Sequence, residues 1–240
     1  LALGHKVSGS DKATTVETDR LQKLGLQFFH GHTEREVEDC DMVIYSSAIK
    51  PGNVAYEAAF KQGIPLVRRA EALAAVMANK KGVIVGGTHG KTTTSALTAH
   101  VLRLGGLKPS HYVGAEIPIL GSNAHWDHEG ELFVAEGDES DGTIVNFHPQ
   151  HAIILNIEPE HLDFYDGIEA IKAVFRQVLS QTPGLWVHCA EDPVAREVCG
   201  GAENSVSYGW SREHDFSANI LAMKPDQTDF EVYHKDTLLG

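Results

Sequence analysis

Apolar positions in this chain fall in short, nearly unbroken runs, separated by longer stretches whose apolar residues recur at helical spacing. The runs predict strands over residues 27–30, 42–45, 65–67, 82–86, 132–136, 152–157 and 185–188. Several are wholly apolar, as expected of strands in a parallel sheet covered on both faces. The periodic stretches predict helices over residues 19–24, 53–62, 69–79, 92–104, 168–180 and 193–199. Strand and helix alternate along the chain, the pattern of a doubly wound α/β fold. A charged linker, "ANKKG" at residues 78–82, divides the pattern into two expected domains, 1–79 and 80–240.

Both ends read as interrupted elements. "LALGHKVSGSD" opens as the last turn of a helix, stops at Gly4 and continues as a strand that closes at Asp11. "DFEVYHKDTLLG" reads as a strand entering a turn. Together they predict a piece of a longer protein. Its 240 residues suffice for two modest domains, each with its own core. The net charge of −13 argues against wholesale binding to nucleic acid or an anionic membrane, which are held through basic patches. Cys40, Cys189 and Cys199 form no paired motif, which fits a reducing compartment. No apolar run approaches the ~18 residues that span a bilayer, and the expected location is the cytoplasm.

The strongest chemical signal is "VIVGGTHGKTTTSAL" over residues 83–97. An apolar strand delivers the chain to a glycine-rich turn, and a helix begins at Thr92, its first N–H groups lacking intrahelical partners. Such an end suits phosphate oxygens. Gly87 and Gly90 permit close backbone approach, Lys91 reaches toward the β and γ phosphates, and Thr92 offers a hydroxyl to Mg²⁺. The candidate phosphate-binding residues are Gly87, Thr88, His89, Gly90, Lys91, Thr92 and Thr93. The first glycine of the common Walker spacing is replaced by Val85.

Two later segments supply acids at strand ends, where ligands bind in open α/β sheets. "LFVAEGDESD" places Glu136 at the end of an apolar run, with Asp138, Glu139 and Asp141 after it. Glu139 reads equally as a solvated loop acid or a site residue. "ILNIEPEHLDFYD" sets Asn156, Glu158, His161 and Asp163 beyond another apolar run, and His161 is the candidate metal ligand there. The plainer readings go elsewhere: "EREVEDCD" as a solvated helix face, "HWDHEG" as an exposed hairpin, and Trp126, Trp186 and Trp210 as packing or loop-anchoring residues. For His89 the backbone is expected to matter more than the ring.

"GTHGKTTT", "AEGDESD", "NIEPEHLD" and "SSAI" followed by "IPLVRRAEALAAVM" together resemble the Mur ligase family of peptidoglycan synthesis, over essentially the whole chain. That family's loop also lacks the first Walker glycine. The resemblance implies a truncated Rossmann-like N-terminal domain followed by a P-loop ATPase-type doubly wound central domain. It implies ATP and Mg²⁺ as cofactors, and UDP-N-acetylmuramate and L-alanine as partners. ATP would phosphorylate the sugar's lactyl carboxylate, and the amine would attack the acyl phosphate to leave an amide. Lys91, Glu136 and His161 carry over as catalytic residues, Thr92, Glu136 and His161 as metal ligands, and Asp11, Ser46 and Ser47 as groups near the uridine.

The family's first strand and its glycine-rich pyrophosphate turn are absent from this sequence, as is its C-terminal domain, so this stretch alone is expected to turn over poorly. Three alternatives remain: a recycling member of the family that joins a tripeptide to the same sugar nucleotide, a folylpolyglutamate synthase, and a non-catalytic nucleotide-binding module. The second lacks a UDP-binding domain like residues 1–79.

Overall fold

A computed structural model describes all residues from Leu1 to Gly240. The chain divides into two compact units, Leu1–Leu73 and Ala74–Gly240.

The first unit holds two parallel strand pairs, each joined through a helix. In the first, β1 (Ser8–Asp11), α1 (Val16–Lys23) and β2 (Gln27–His30) pair Ser8 with Gln27 through Asp11 with His30. The helix starts earlier than its apolar spacing predicts because Thr15 and Thr18 each accept the other's backbone N–H, a reciprocal cap. In the second, β3 (Val43–Tyr45), α2 (Val54–Gln62) and β4 (Leu66–Arg68) repeat the arrangement, with Asn53 capping the helix. Val37, Ala55, Ala58 and Ala59 form the core of this unit. The segment "EREVEDCD" corrects its expectation. It forms a single 3₁₀ turn, Glu34–Val37, with Glu36 and Val37 buried and a Glu36 carboxylate oxygen accepting the Thr33 N–H.

Helix α3 (Arg69–Met77) contains the boundary between the units. Beyond it come β5 (Lys81–Gly86), α4 (Lys91–Leu104), β6 (Ser110–Tyr112), β7 (Ala124–His125), β8 (Leu132–Glu136) and β9 (His151–Ile154). Then follow α5 (Ile168–Ser180), β10 (Trp186–Cys189), α6 (Pro193–Cys199), β11 (Ser205–Gly209), β12 (Phe216–Lys224), β13 (Gln227–His234) and β14 (Thr237–Leu238). The strands form one ten-stranded sheet in the order β14-β13-β12-β11-β10-β9-β5-β8-β6-β7. It is parallel from β6 to β12 and antiparallel at both margins.

Burial explains the centre. Gly82 through Gly86 are buried, and Ile84 and Val85 have no exposed surface. Helix α5 turns Ile171, Phe175, Val178 and Leu179 inward at helical spacing. On α4 the inward residues are Ser95, Ala96 and Ala99, and the two alanines pack with Val83, Val113 and Val134. No helix is long and apolar enough to cross a membrane.

"HWDHEG" is also more tightly held than an exposed hairpin. The Lys80 ammonium sits 4.6 Å over the Trp126 ring and donates to the carbonyls of Asp127 and Gly130. Trp126 packs against Phe133, and Trp186 Nε1 donates to the Thr182 carbonyl, so both anchor as expected. Trp210 does not, with its ring in solvent and its backbone N–H donating to Glu191.

Three histidines of this unit make its stability depend on pH. Burial lowers the proton affinity of His111, His151 and His188 below the ordinary imidazole value. His151 Nδ1 accepts the Leu185 N–H at 2.9 Å, a bond that needs a bare nitrogen. The unfolded chain therefore binds protons that the folded one refuses, and stability falls as pH drops through about 6.5. Thermal melting is expected to shift downward between pH 7.5 and 5.5.

Candidate active site

The sheet order creates a switch point at β5. The chain leaves β5 through α4 toward β6 and β8 on one side, then crosses to β9 on the other. In such folds the crevice at the strands' carboxyl ends takes the ligand. Three segments meet there: the loop after β5, the end of β8 and the turn after β9.

The loop 86–90 is shaped by backbone geometry. Gly87 has φ +140°, and a Cβ there would lie 3.0 Å from the Asn156 carbonyl oxygen and 3.1 Å from Asn156 N. Gly90 has φ +83° and caps α4 in the left-handed region, which favours glycine. The N–H groups of Gly90, Lys91, Thr92 and Thr93 donate to nothing within the chain. They point along the amino end of a 14-residue helix, where the peptide dipoles add.

Asn156 fixes this loop from the neighbouring strand. Its carbonyl accepts the Thr88 N–H at 3.0 Å. Its side chain accepts the His89 N–H at 2.7 Å and donates to the His89 carbonyl at 3.1 Å. The Thr88 hydroxyl in turn accepts the Glu158 N–H at 2.9 Å. These bonds explain why β9 stops at Ile154, short of the predicted end: Asn156 has left the ladder to hold the loop. The His89 ring is solvent-exposed, facing Glu158 and Glu160 at 3.8 and 3.5 Å.

At the start of α4, the Thr92 hydroxyl lies 3.1 and 3.0 Å from the two carboxylate oxygens of Glu136, the last residue of β8. Glu136 also accepts the Gly114 N–H at 2.9 Å. Thr92 and Glu136 thus form a compact set of hard oxygen donors beside the free amides, a set that fits Mg²⁺.

Lys91 folds over the loop instead of into solvent. Its ammonium donates to the Gly87 carbonyl at 2.7 Å and lies 3.0 and 3.1 Å from the carboxylate oxygens of Glu139. Glu139 is 2 % exposed, so the solvated reading of this residue is wrong. Burial pushes its carboxyl above the usual glutamate value while the Lys91 ammonium pulls it down. The Glu139 carbonyl accepts the Tyr165 hydroxyl, whose proton burial holds up to about 12.

His161 lies in the turn after β9 with a left-handed backbone, φ 53°. Its Nε2 is 4.0 Å from Glu160, which also faces His89. No hydrogen bond or ion pair joins it to Thr92 or Glu136, and no group of three His, Cys, Asp or Glu side chains is placed to hold a metal. In the first unit, Asp11 accepts the Ala13 N–H at 3.0 Å. Ser46 and Ser47 follow β3, and their carbonyls accept from Ile49 N–H and the Lys50 ammonium.

The sequence pattern of the Mur ligase middle domain matches residues 85–238, more than half of the chain. The chain belongs to the Mur ligase family. The pattern described as the Mur ligase family catalytic domain matches residues 1–81. Among curated relatives of this family, the UDP-N-acetylmuramate–L-alanine ligase of Syntrophus aciditrophicus is 39 % identical over 243 residues, covering all of this chain and 50 % of the relative. The enzyme of the same name from Geobacter sp. strain M21 is 40 % identical, covering all of this chain and 52 % of the relative. The chain therefore spans about half the length of the curated relatives it matches. The crystal structure of the UDP-N-acetylmuramate–alanine ligase from Thermotoga maritima covers 98 % of this chain and 54 % of its own, at 26 % identity and TM-score 0.86. A Neisseria ligase structure, 23 % identical with TM-score 0.84 over 99 % of this chain and 79 % of its own, shares the fold.

Proposed function

We propose that this chain carries the sugar-nucleotide and ATP sites of a ligase that joins L-alanine to the lactyl carboxylate of UDP-N-acetylmuramate through an acyl phosphate. The observation that carries the reading is the meeting of Lys91, Thr92 and Glu136 at the switch point beside unpaired amides. The names of the 39–40 % identical relatives supply the substrates.

In this reading the amides of Gly90 to Thr93 bind phosphate oxygens, and Lys91 neutralises charge on the phosphoryl group as it transfers. Thr92 and Glu136 would hold a first Mg²⁺, and His161 would contribute to a second metal only once brought to the phosphates. Mg²⁺ supplies positive charge that screens a carboxylate from a triphosphate. The lactyl carboxylate oxygen bonds to the γ phosphorus as ADP leaves. The alanine nitrogen then bonds to the acyl carbon, loses its proton, and phosphate departs with the attacking oxygen. Residues 1–79 bind the uridine end, with Asp11, Ser46 and Ser47 nearby, and residues 80–240 bind ATP. The three free thiols accord with a cytoplasmic location.

Asn156→Ala is expected to free the loop and weaken ADP binding about tenfold, the equivalent of a net hydrogen bond, read by titration calorimetry. The assignment itself is tested by offering the full-length protein UDP-N-acetylmuramate, ATP and Mg²⁺ with L-alanine, glycine, L-serine or the free tripeptide in turn. L-alanine is the expected substrate. Consumption of the tripeptide alone would replace this reading with the recycling reaction.

A further inference from the structure

Lys91 and Glu139 meet in a way the phosphate-binding role of the lysine does not require. A lysine that only waits for phosphate has no need of a fixed acidic partner inside the protein. Here the ammonium is surrounded by acceptors of its own chain: the Gly87 carbonyl at 2.7 Å, the Thr88 carbonyl at 3.4 Å and the Glu139 carboxylate at 3.0 and 3.1 Å. Of these only Glu139 carries charge, and it is nearly buried. It is also held from behind, because its carbonyl accepts the Tyr165 hydroxyl and its carbonyl likewise accepts the Gly142 N–H. Tyr165 is set in turn by its N–H bond to the carbonyl of His161, so the turn after β9 braces the loop after β8.

Glu136, the other acid beside the loop, is occupied by Thr92 and the Gly114 N–H. The two acids therefore divide the loop between them, Glu136 taking the Thr92 hydroxyl and Glu139 the Lys91 ammonium. We propose that Glu139 is a positioning residue that holds the Lys91 ammonium at the root of the phosphate loop, fixed there by its own burial and by the bracing of its backbone. The inference rests on the ATP-site reading above and adds a residue to it.

Displacement of a charge-stabilising group by about 1 Å costs roughly a hundredfold in rate. In the full-length protein, Glu139→Gln is therefore expected to lower kcat about a hundredfold while leaving KM for the sugar nucleotide unchanged. Because Glu139 acts through Lys91, the two substitutions are expected not to multiply: Lys91→Ala/Glu139→Gln turns over no more slowly than Lys91→Ala. The double variant should also melt above Lys91→Ala, which leaves a buried carboxylate unpaired. If Glu139→Gln fails to fold, Glu139→Asp, which keeps the charge but draws it back by one methylene, carries the same kinetic comparison.

A kcat within threefold of wild type for Glu139→Gln, or for Glu139→Asp where that variant stands in, or losses that multiply in the double variant, would overturn the inference while leaving the ATP site intact. Wild-type protein that binds no ATP would overturn the site reading and this inference with it.

Discussion

Replacing Lys91 with Ala is expected to lower kcat/KM for ATP by about a thousandfold in the full-length protein, the upper range for loss of one preorganised charge-stabilising group. The size follows from its position. The ammonium sits among backbone acceptors at the mouth of a helix whose first amides are unpaired, so its charge acts where solvent screens it least. Binding of UDP-N-acetylmuramate, assigned to the other unit, is expected to survive. Steady-state kinetics with each substrate varied, beside calorimetric binding of the sugar nucleotide, separate the two effects. Loss of both together would mean that the substitution had damaged the fold and not the site.

Glu136→Gln is expected to lower kcat about a hundredfold, within the range for removing one electrostatic contact to a developing charge. It is also expected to raise the Mg²⁺ concentration needed for half-maximal rate. The amide keeps one oxygen to accept the Gly114 N–H and the Thr92 hydroxyl, so local structure is preserved while the anionic donor is lost. Titrating activity with Mg²⁺ checks the change. An unchanged Mg²⁺ dependence would remove Glu136 from the metal set and leave it a purely structural partner of Thr92.

Much of the site's frame is legible in the sequence, because strand, glycine turn, lysine, threonine and helix are contiguous, and contiguous chemistry survives folding. Glu136 is legible for a related reason: it ends an apolar run, and the ends of parallel strands line the crevice. What sequence does not reveal is contact across separate segments. Glu139 lies among other loop acids, and its burial comes with contacts from distant segments, Lys91 on its carboxylate and Tyr165, from beyond β9, on its carbonyl. Asn156 stands in an apolar run that reads as strand to its end, and only the approach of the Thr88–His89 loop gives it another task. In the sheet, β6 and β7 are too short to register as periodic. On β12 the register shifts between Ile220 and Ala222, which breaks the alternation that would have marked it. The buried face of "EREVEDCD" is missed because charged residues dominate its composition while Val37 fills the core.

Transfer of a phosphoryl group to the sugar's own carboxylate is the chemistry expected of the Lys91–Thr92–Glu136 site. UDP-N-acetylmuramate labelled with ¹⁸O in both lactyl carboxylate oxygens, turned over with ATP and L-alanine by the full-length protein, tests it by mass analysis of the released phosphate. The prediction is one labelled oxygen in each phosphate formed, with the transfer lost in Lys91→Ala; phosphate released without label would contradict the account.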